Sequence, residues 1–130
     1  MNEFFKTVLN GVRNFSSNVS LFLYQLTRTS RTPTIIQMDM AECGAASLAI
    51  ILAHYRRFIP LEEARKACGV SRDGSKAINM LKAARQYGLD GQGAQVHDIK
   101  DLKTLKFPLI LHWEFNHFVV LEGFFGDIVF

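Results

Sequence analysis

The chain has little of what staples, breaks or anchors a fold. Its 130 residues include two cysteines, three prolines and one tryptophan. Two thiols, Cys43 and Cys68, cannot build a disulfide framework, and no CxxC or paired Cys/His spacing points to zinc. Reduced thiols in a cytosolic setting are the expectation. The longest pure apolar run, Leu48 to Ala53, falls far short of the roughly 18 residues that suggest a membrane span. The N-terminus lacks the charged start, apolar stretch and small-residue cleavage site of a secretory signal. A broad charge surplus is missing as well. The net charge is +3, and Lys6, Arg13, Arg28 and Arg31 against Glu3 place all of it in residues 1–37. The rest is balanced, without the basic stripe that a nucleic-acid partner requires.

What remains is the composition of one ordinary domain: 48% hydrophobic and 21% charged residues, enough to bury a core without metal. Phe4, Phe5, Val8, Leu9, Val12 and Phe15 recur at helical spacing. They predict an amphipathic helix, packed on a domain or lying on a membrane surface. Thr27 to Thr34 reads as a polar linker closed by Pro33. Residues 1–31 are therefore expected to form an extension and linker, with the domain proper over residues 32–130.

Within that domain, Cys43 to about Phe58 is apolar nearly all round and predicts a helix running through the core. Leu61 to Cys68 predicts a short helix stopped by Gly69. Ser75 is placed to cap a third, Lys76 to Tyr87, with Ile78, Leu81 and Ala84 on one face and Gly88 as its stop. Asp98 predicts the cap of a single turn through Leu102. The period then changes to strands over Phe107–Trp113 and His117–Phe124, followed by a Gly126-Asp127 turn into Ile128–Phe130. Helices first and antiparallel strands last give an α+β class. Residues 61–88 imitate a DNA-binding helix-turn-helix, but the Gly69–Gly74 connection is too long and the charge too balanced.

The chemistry concentrates in Gln37-Met38-Asp39-Met40-Ala41-Glu42-Cys43-Gly44. A cysteine at the start of a helix meets unpaired amides and the positive end of the helix dipole, which favour a thiolate nucleophile. The Cys43 amide is placed to donate to a developing oxyanion, and Gln37 can fold over as a second donor. Gly44 permits a close approach of another backbone. On composition alone, a cysteine in such a helix is more often a small buried hydrophobe. Cys68 is expected to be structural.

The base must be a histidine. His54 lies three turns along the helix that Cys43 opens and cannot meet it; His97 sits in a polar loop. His112 and His117 flank Glu114-Phe115-Asn116 at the facing ends of two strands. Either matches a histidine across a cleft from a helix-terminal cysteine, as in papain-like thiol peptidases, and position alone does not choose between them.

Taken together, the segments TPTIIQMDMAECGAA, CGVSRDGSKA, Tyr87-Gly88-Leu89 and FNHFVVLEG, in unbroken order from about Thr32 to Phe130, resemble one known family. It is the bacteriocin-processing cysteine peptidase domain at the N-terminus of peptidase-containing ABC exporters. The wording is most similar to the branch exporting peptides with nitrile-hydratase-like leaders. The resemblance implies a papain-like fold with Cys43 as nucleophile, His117 as general base and Gln37 as oxyanion-hole donor. It implies cleavage after a double-glycine-type motif ending a leader peptide, which binds as an amphipathic helix in an apolar groove. It also implies transmembrane and ATP-binding domains as partners, at the cytoplasmic face of the bacterial inner membrane. No cofactor is implied for cleavage, ATP being used in the transporter domains alone. The family's triad acid is expected beyond Phe130, in an Asn-Asp-Pro motif, so that the chain reads as a fragment of a longer exporter or a shortened relative. Asp127 reads as a turn residue at the hairpin tip, not as that acid. The competing function is a peptidase-like module that captures leaders without cutting them.

Overall fold

The computed structural model describes residues 4–10, 30–114, 117–126 and 128–130. Its centre is helix α1, Cys43–His54, in which every residue except Ile50 and His54 is buried. An apolar run without a polar face has no side to offer to water, so neighbouring elements enclose it. The helix ends four residues before the sequence suggested, where Arg56 takes a left-handed φ of 61° and the Arg56 and Arg57 amides bond back to Ala53 and Leu52.

Helix α2, Leu61–Cys68, stops at Gly69 as expected, with that residue left-handed at φ 59°. Helix α3, Ala77–Gln86, differs from the expectation in two respects. Its N-cap is Lys76, with no side-chain cap, while the Ser75 hydroxyl has no hydrogen-bond partner among the described residues. Its buried face is Met80, Ala83 and Ala84, whereas Ile78 is exposed. The face turned inward is the one that meets α1 and α2, and that direction is a tertiary choice.

The helices pack on a four-stranded antiparallel sheet of order β2-β1-β3-β4. Its strands are β1 (Phe4–Asn10), β2 (Asp90–Val96), β3 (Leu109–Trp113) and β4 (His117–Leu121). Over residues 4–10 the helical reading of the N-terminal segment is overturned: β1 lies between β2 and β3, with Thr7 opposite both Gly93 and Ile110. Two strands that would otherwise present unpaired backbone edges are both satisfied by inserting a third. The rest of that segment, with Val12 and Phe15, falls outside the described residues. Strand β2 is likewise unforeseen in the sequence, because DGQGAQV buries only Gly91 and Val96 and has no alternating apolar signal.

Asp98 caps the single turn α4, Ile99–Leu102, by accepting from the Lys100 amide. The strand expected over His117–Phe124 breaks after Leu121. The chain resumes as a small hairpin of β5 (Phe124–Phe125) and β6 (Ile128–Val129). Phe125 faces Ile128, and Phe130 bonds to Gly123, as the two-residue turn predicts. Among the described residues, two buried clusters result. One joins α1, α2 and α3 to Ile110 and Phe118; the other gathers Val96, Leu102, Phe107, Leu109, Leu121 and Phe124 on the opposite side of the sheet. The class is α+β, as expected.

Candidate active site

The approach to Cys43 is tightly built. A 3₁₀ turn, Met40–Glu42, precedes α1, capped by Asp39, whose side chain accepts from the Ala41 amide. Glu42 reaches back to accept from the amides of Met38 at 2.8 Å and Asp39 at 3.3 Å. This reciprocal capping box fixes the entry to the helix. Glu42 is buried and paired with Arg65 Nε of α2 at 3.2 Å. Cys43 follows as the first residue of α1, only 4% exposed.

The Cys43 side opens on a cavity of about 240 Å³. Met40, Ala41 and Cys43 form one wall, the Arg72–Ser75 segment a second, and His112 with Phe118 a third. The connection that imitated a helix-turn-helix is thus spent on this cavity. Gly44 packs closely against Ser75 of this wall, and what approaches it is a side chain and not a backbone. A methyl there would sit 2.8 Å from Ser75 Cβ and 3.0 Å from Met80 Sδ.

A second cavity, of about 360 Å³, lies beyond Phe118, which lines both. Gln37 fronts this second space with Ile35, Ile50, Val119 and Val120. Of the three residues singled out for catalysis, then, Cys43 lines the first cavity and Gln37 the second. His117 lines neither. It opens β4, half-buried, opposite Trp113, and the strand alternation places it on the face opposite to Phe118. His112 and Phe118 are directly cross-strand, their rings stacked at 4.3 Å.

The other titratable groups fall where their surroundings dictate. His54 is engaged at the far end of α1, with Nδ1 3.0 Å from the Arg31 carbonyl and Nε2 3.3 Å from the Ser30 hydroxyl. A carbonyl only accepts, so Nδ1 donates. His97 is exposed. Cys68 is fully buried, and desolvation pushes its thiol up to about 11. It is protonated and unreactive at neutral pH. Asp127 lies outside the described residues. Among the described residues, no group of three or more His, Cys, Asp or Glu is arranged to hold a metal. No helix there is long and apolar enough to cross a membrane.

A helix-terminal cysteine, a glutamine on the incoming segment and a histidine-bearing antiparallel pair are the parts a thiol peptidase uses, although no one cavity here gathers all three. Comparison with known proteins decides which one: residues 31–130 match the family model described as Peptidase C39. The chain belongs to the Peptidase C39 family. It is a cysteine peptidase domain with that family's papain-like α+β fold.

Similarity to individual Peptidase C39 proteins agrees. Over 109 residues the chain is 37% identical to the colicin V secretion/processing ATP-binding protein of Escherichia coli, covering 84% of this chain and 15% of that protein. Over 98 residues it is 33% identical to the mesentericin-Y105 transport/processing ATP-binding protein of Leuconostoc mesenteroides, covering 72% of this chain and 14% of that protein. The chain thus spans about one-seventh of the length of these curated relatives. Among solved structures it resembles a double glycine motif protease from an AMS/PCAT transporter in complex with the leader peptide. The TM-score is 0.75 at 53% identity, covering 79% of this chain and 74% of that one.

Three parts of this Peptidase C39 site were not foreseen from the sequence: the Glu42–Arg65 pair, the Arg72–Ser75 wall and the inward position of His112. Of the first, Glu42 had a local signal, because Asp39 and Glu42 carry the spacing of a capping box, but its pairing with Arg65 had none. The other two are set by packing and had none.

Proposed function

We propose that this chain cleaves the leader from ribosomally made precursor peptides after a double-glycine-type motif. The observation that carries the reading is Cys43 at the N-terminus of a buried helix, lining a cavity of about 240 Å³, within a chain 53% identical over 79% of its length to a double glycine motif protease. The Cys43 thiolate attacks the carbonyl carbon of the last leader residue, and the carbonyl oxygen becomes an oxyanion. The Cys43 amide and the Gln37 side chain donate to it. His117 takes the thiol proton and returns it to the departing amine of the core peptide. Water then attacks the thioester, releasing the leader carboxylate and restoring the thiol.

The preceding leader segment occupies the second cavity, whose Ile35, Ile50, Val119 and Val120 offer apolar contacts for one face of an amphipathic helix. Transmembrane and ATP-binding domains of an ABC exporter are the proposed partners, at the cytoplasmic face of the inner membrane. Cleavage itself needs neither ATP nor metal.

A second reading, leader capture without cleavage, draws support from one observation: Gln37 and His117 lie outside the cavity that Cys43 lines. One experiment separates the two. The chain is incubated with a leader peptide ending in Gly-Gly or Gly-Ala, with and without iodoacetamide and with and without EDTA. Two fragments by mass, lost with iodoacetamide but not EDTA, support the peptidase. Binding with no fragments supports capture. Cys43→Ala should abolish cleavage and leave leader binding intact.

A further inference from the structure

Glu42 is a carboxylate 4% exposed, immediately before the nucleophile, and the chemistry assigned to Cys43, His117 and Gln37 does not use it. Its two oxygens face in different directions. Oε2 accepts from the amides of Met38 and Asp39 at 2.8 and 3.3 Å. Oε1 meets Arg65 Nε at 3.2 Å. Bonds to an ionised acceptor are stronger than neutral ones, and a buried carboxylate stripped of its cation is costly. Arg65 stands on α2, which packs against α1 in the main core. The pair therefore links the rigid helical layer to the main chain that directly follows Gln37.

We propose that Glu42, held by Arg65, is a positioning residue for the oxyanion hole. It fixes the backbone of residues 37–39 against the first turn of α1, so that the Gln37 amide and the Cys43 N–H keep a constant separation. The inference rests on the peptidase reading. A helix cap with no further role would lower stability and leave turnover of the folded protein unchanged. A positioning role lowers kcat in protein that is still folded.

The test is steady-state cleavage of a leader peptide ending in Gly-Gly, with thermal melts confirming that each variant is folded. One oxyanion-hole donor is worth about 10²–10³ in kcat. Glu42→Ala should lose a large part of that, about 10–100-fold, with KM within about twofold. Glu42→Gln keeps an oxygen that can accept from both amides and should recover most of the loss; Arg65→Met should fall between. In a Gln37→Ala background, Glu42→Ala should cost no further activity, because its effect passes through Gln37. Wild-type kcat in folded Glu42→Ala, or an equal loss with and without Gln37, overturns the proposal. If Glu42→Ala does not fold, Arg65→Met in the two backgrounds carries the same comparison. A wild-type chain that binds leader yet yields no fragments overturns the peptidase reading itself, and is recognised before any variant is made.

Discussion

His112 lies flat on Phe118, the rings 4.3 Å apart and 10° from parallel. The pair stands directly across β3 and β4 and turns both rings towards the Cys43 cavity, while His117, one residue from Phe118, follows the pleat to the other face. With His117 as general base, His117→Ala should lower kcat by about 10²–10⁴-fold. His112→Ala, which removes part of the cavity wall, should act mainly on KM. Steady-state kinetics on one leader peptide reads both, and the opposite order would transfer the base to His112.

Gly44→Ala should destabilise the chain. The added methyl meets Ser75 Cβ at 2.8 Å and Met80 Sδ at 3.0 Å, and overpacking of this kind costs about 1–3 kcal/mol. Urea denaturation should show a lower midpoint. Replacing Ser75 by glycine in the same chain should restore part of the loss, since it removes the nearer obstacle.

Cys68 makes the fold sensitive to alkali. Its thiol is raised by burial from 9.0 to about 11, so between these values the folded state holds a proton that the unfolded state has released. Stability then falls as pH rises past about 9 and levels off above about 11. At about 1.4 kcal/mol per pH unit, the full loss is about 2–3 kcal/mol. Denaturation midpoints from pH 8 to 11 should show this slope in the wild type and lack it in Cys68→Ala. In native protein at neutral pH, iodoacetamide should leave Cys68 unmodified.

Ile50 interrupts the buried surface of α1 and fronts the second cavity. If the leader docks there, Ile50→Glu should raise KM about tenfold or more and leave kcat nearly unchanged, the pattern of lost uniform binding. The same substitution should not alter cleavage of a short peptide carrying the double-glycine motif alone.

Much of the frame is legible in the residues themselves. Gly69 and Gly88 mark helix ends, Asp98 caps its turn, and α1, apolar nearly all round, could belong only to a core. These are local rules, and each residue carries its own signal. The helical reading fails over residues 4–10 because Phe4, Phe5, Val8 and Leu9 serve either period, and a strand's hydrogen-bond partners lie about 85 and 105 residues away in the chain. β2 is invisible for the complementary reason: two glycines and few apolar side chains give no pattern, and only the neighbouring strand makes it one.

The candidate site divides along the same line. That Cys43 opens a buried helix, with Asp39 and Glu42 spaced for a capping box before it, is written into consecutive residues, because caps and helix ends depend on neighbours within a turn. Which histidine stands before that cysteine is not. A strand shows alternate residues to opposite faces, and one step of register exchanges them. The pairing of Leu109–Trp113 with His117–Leu121 turned His112 and Phe118 towards Cys43, and the packing of α2 on α1 brought Arg65 to Glu42. Both are contacts between distant segments, decided by burial and pairing across the whole domain.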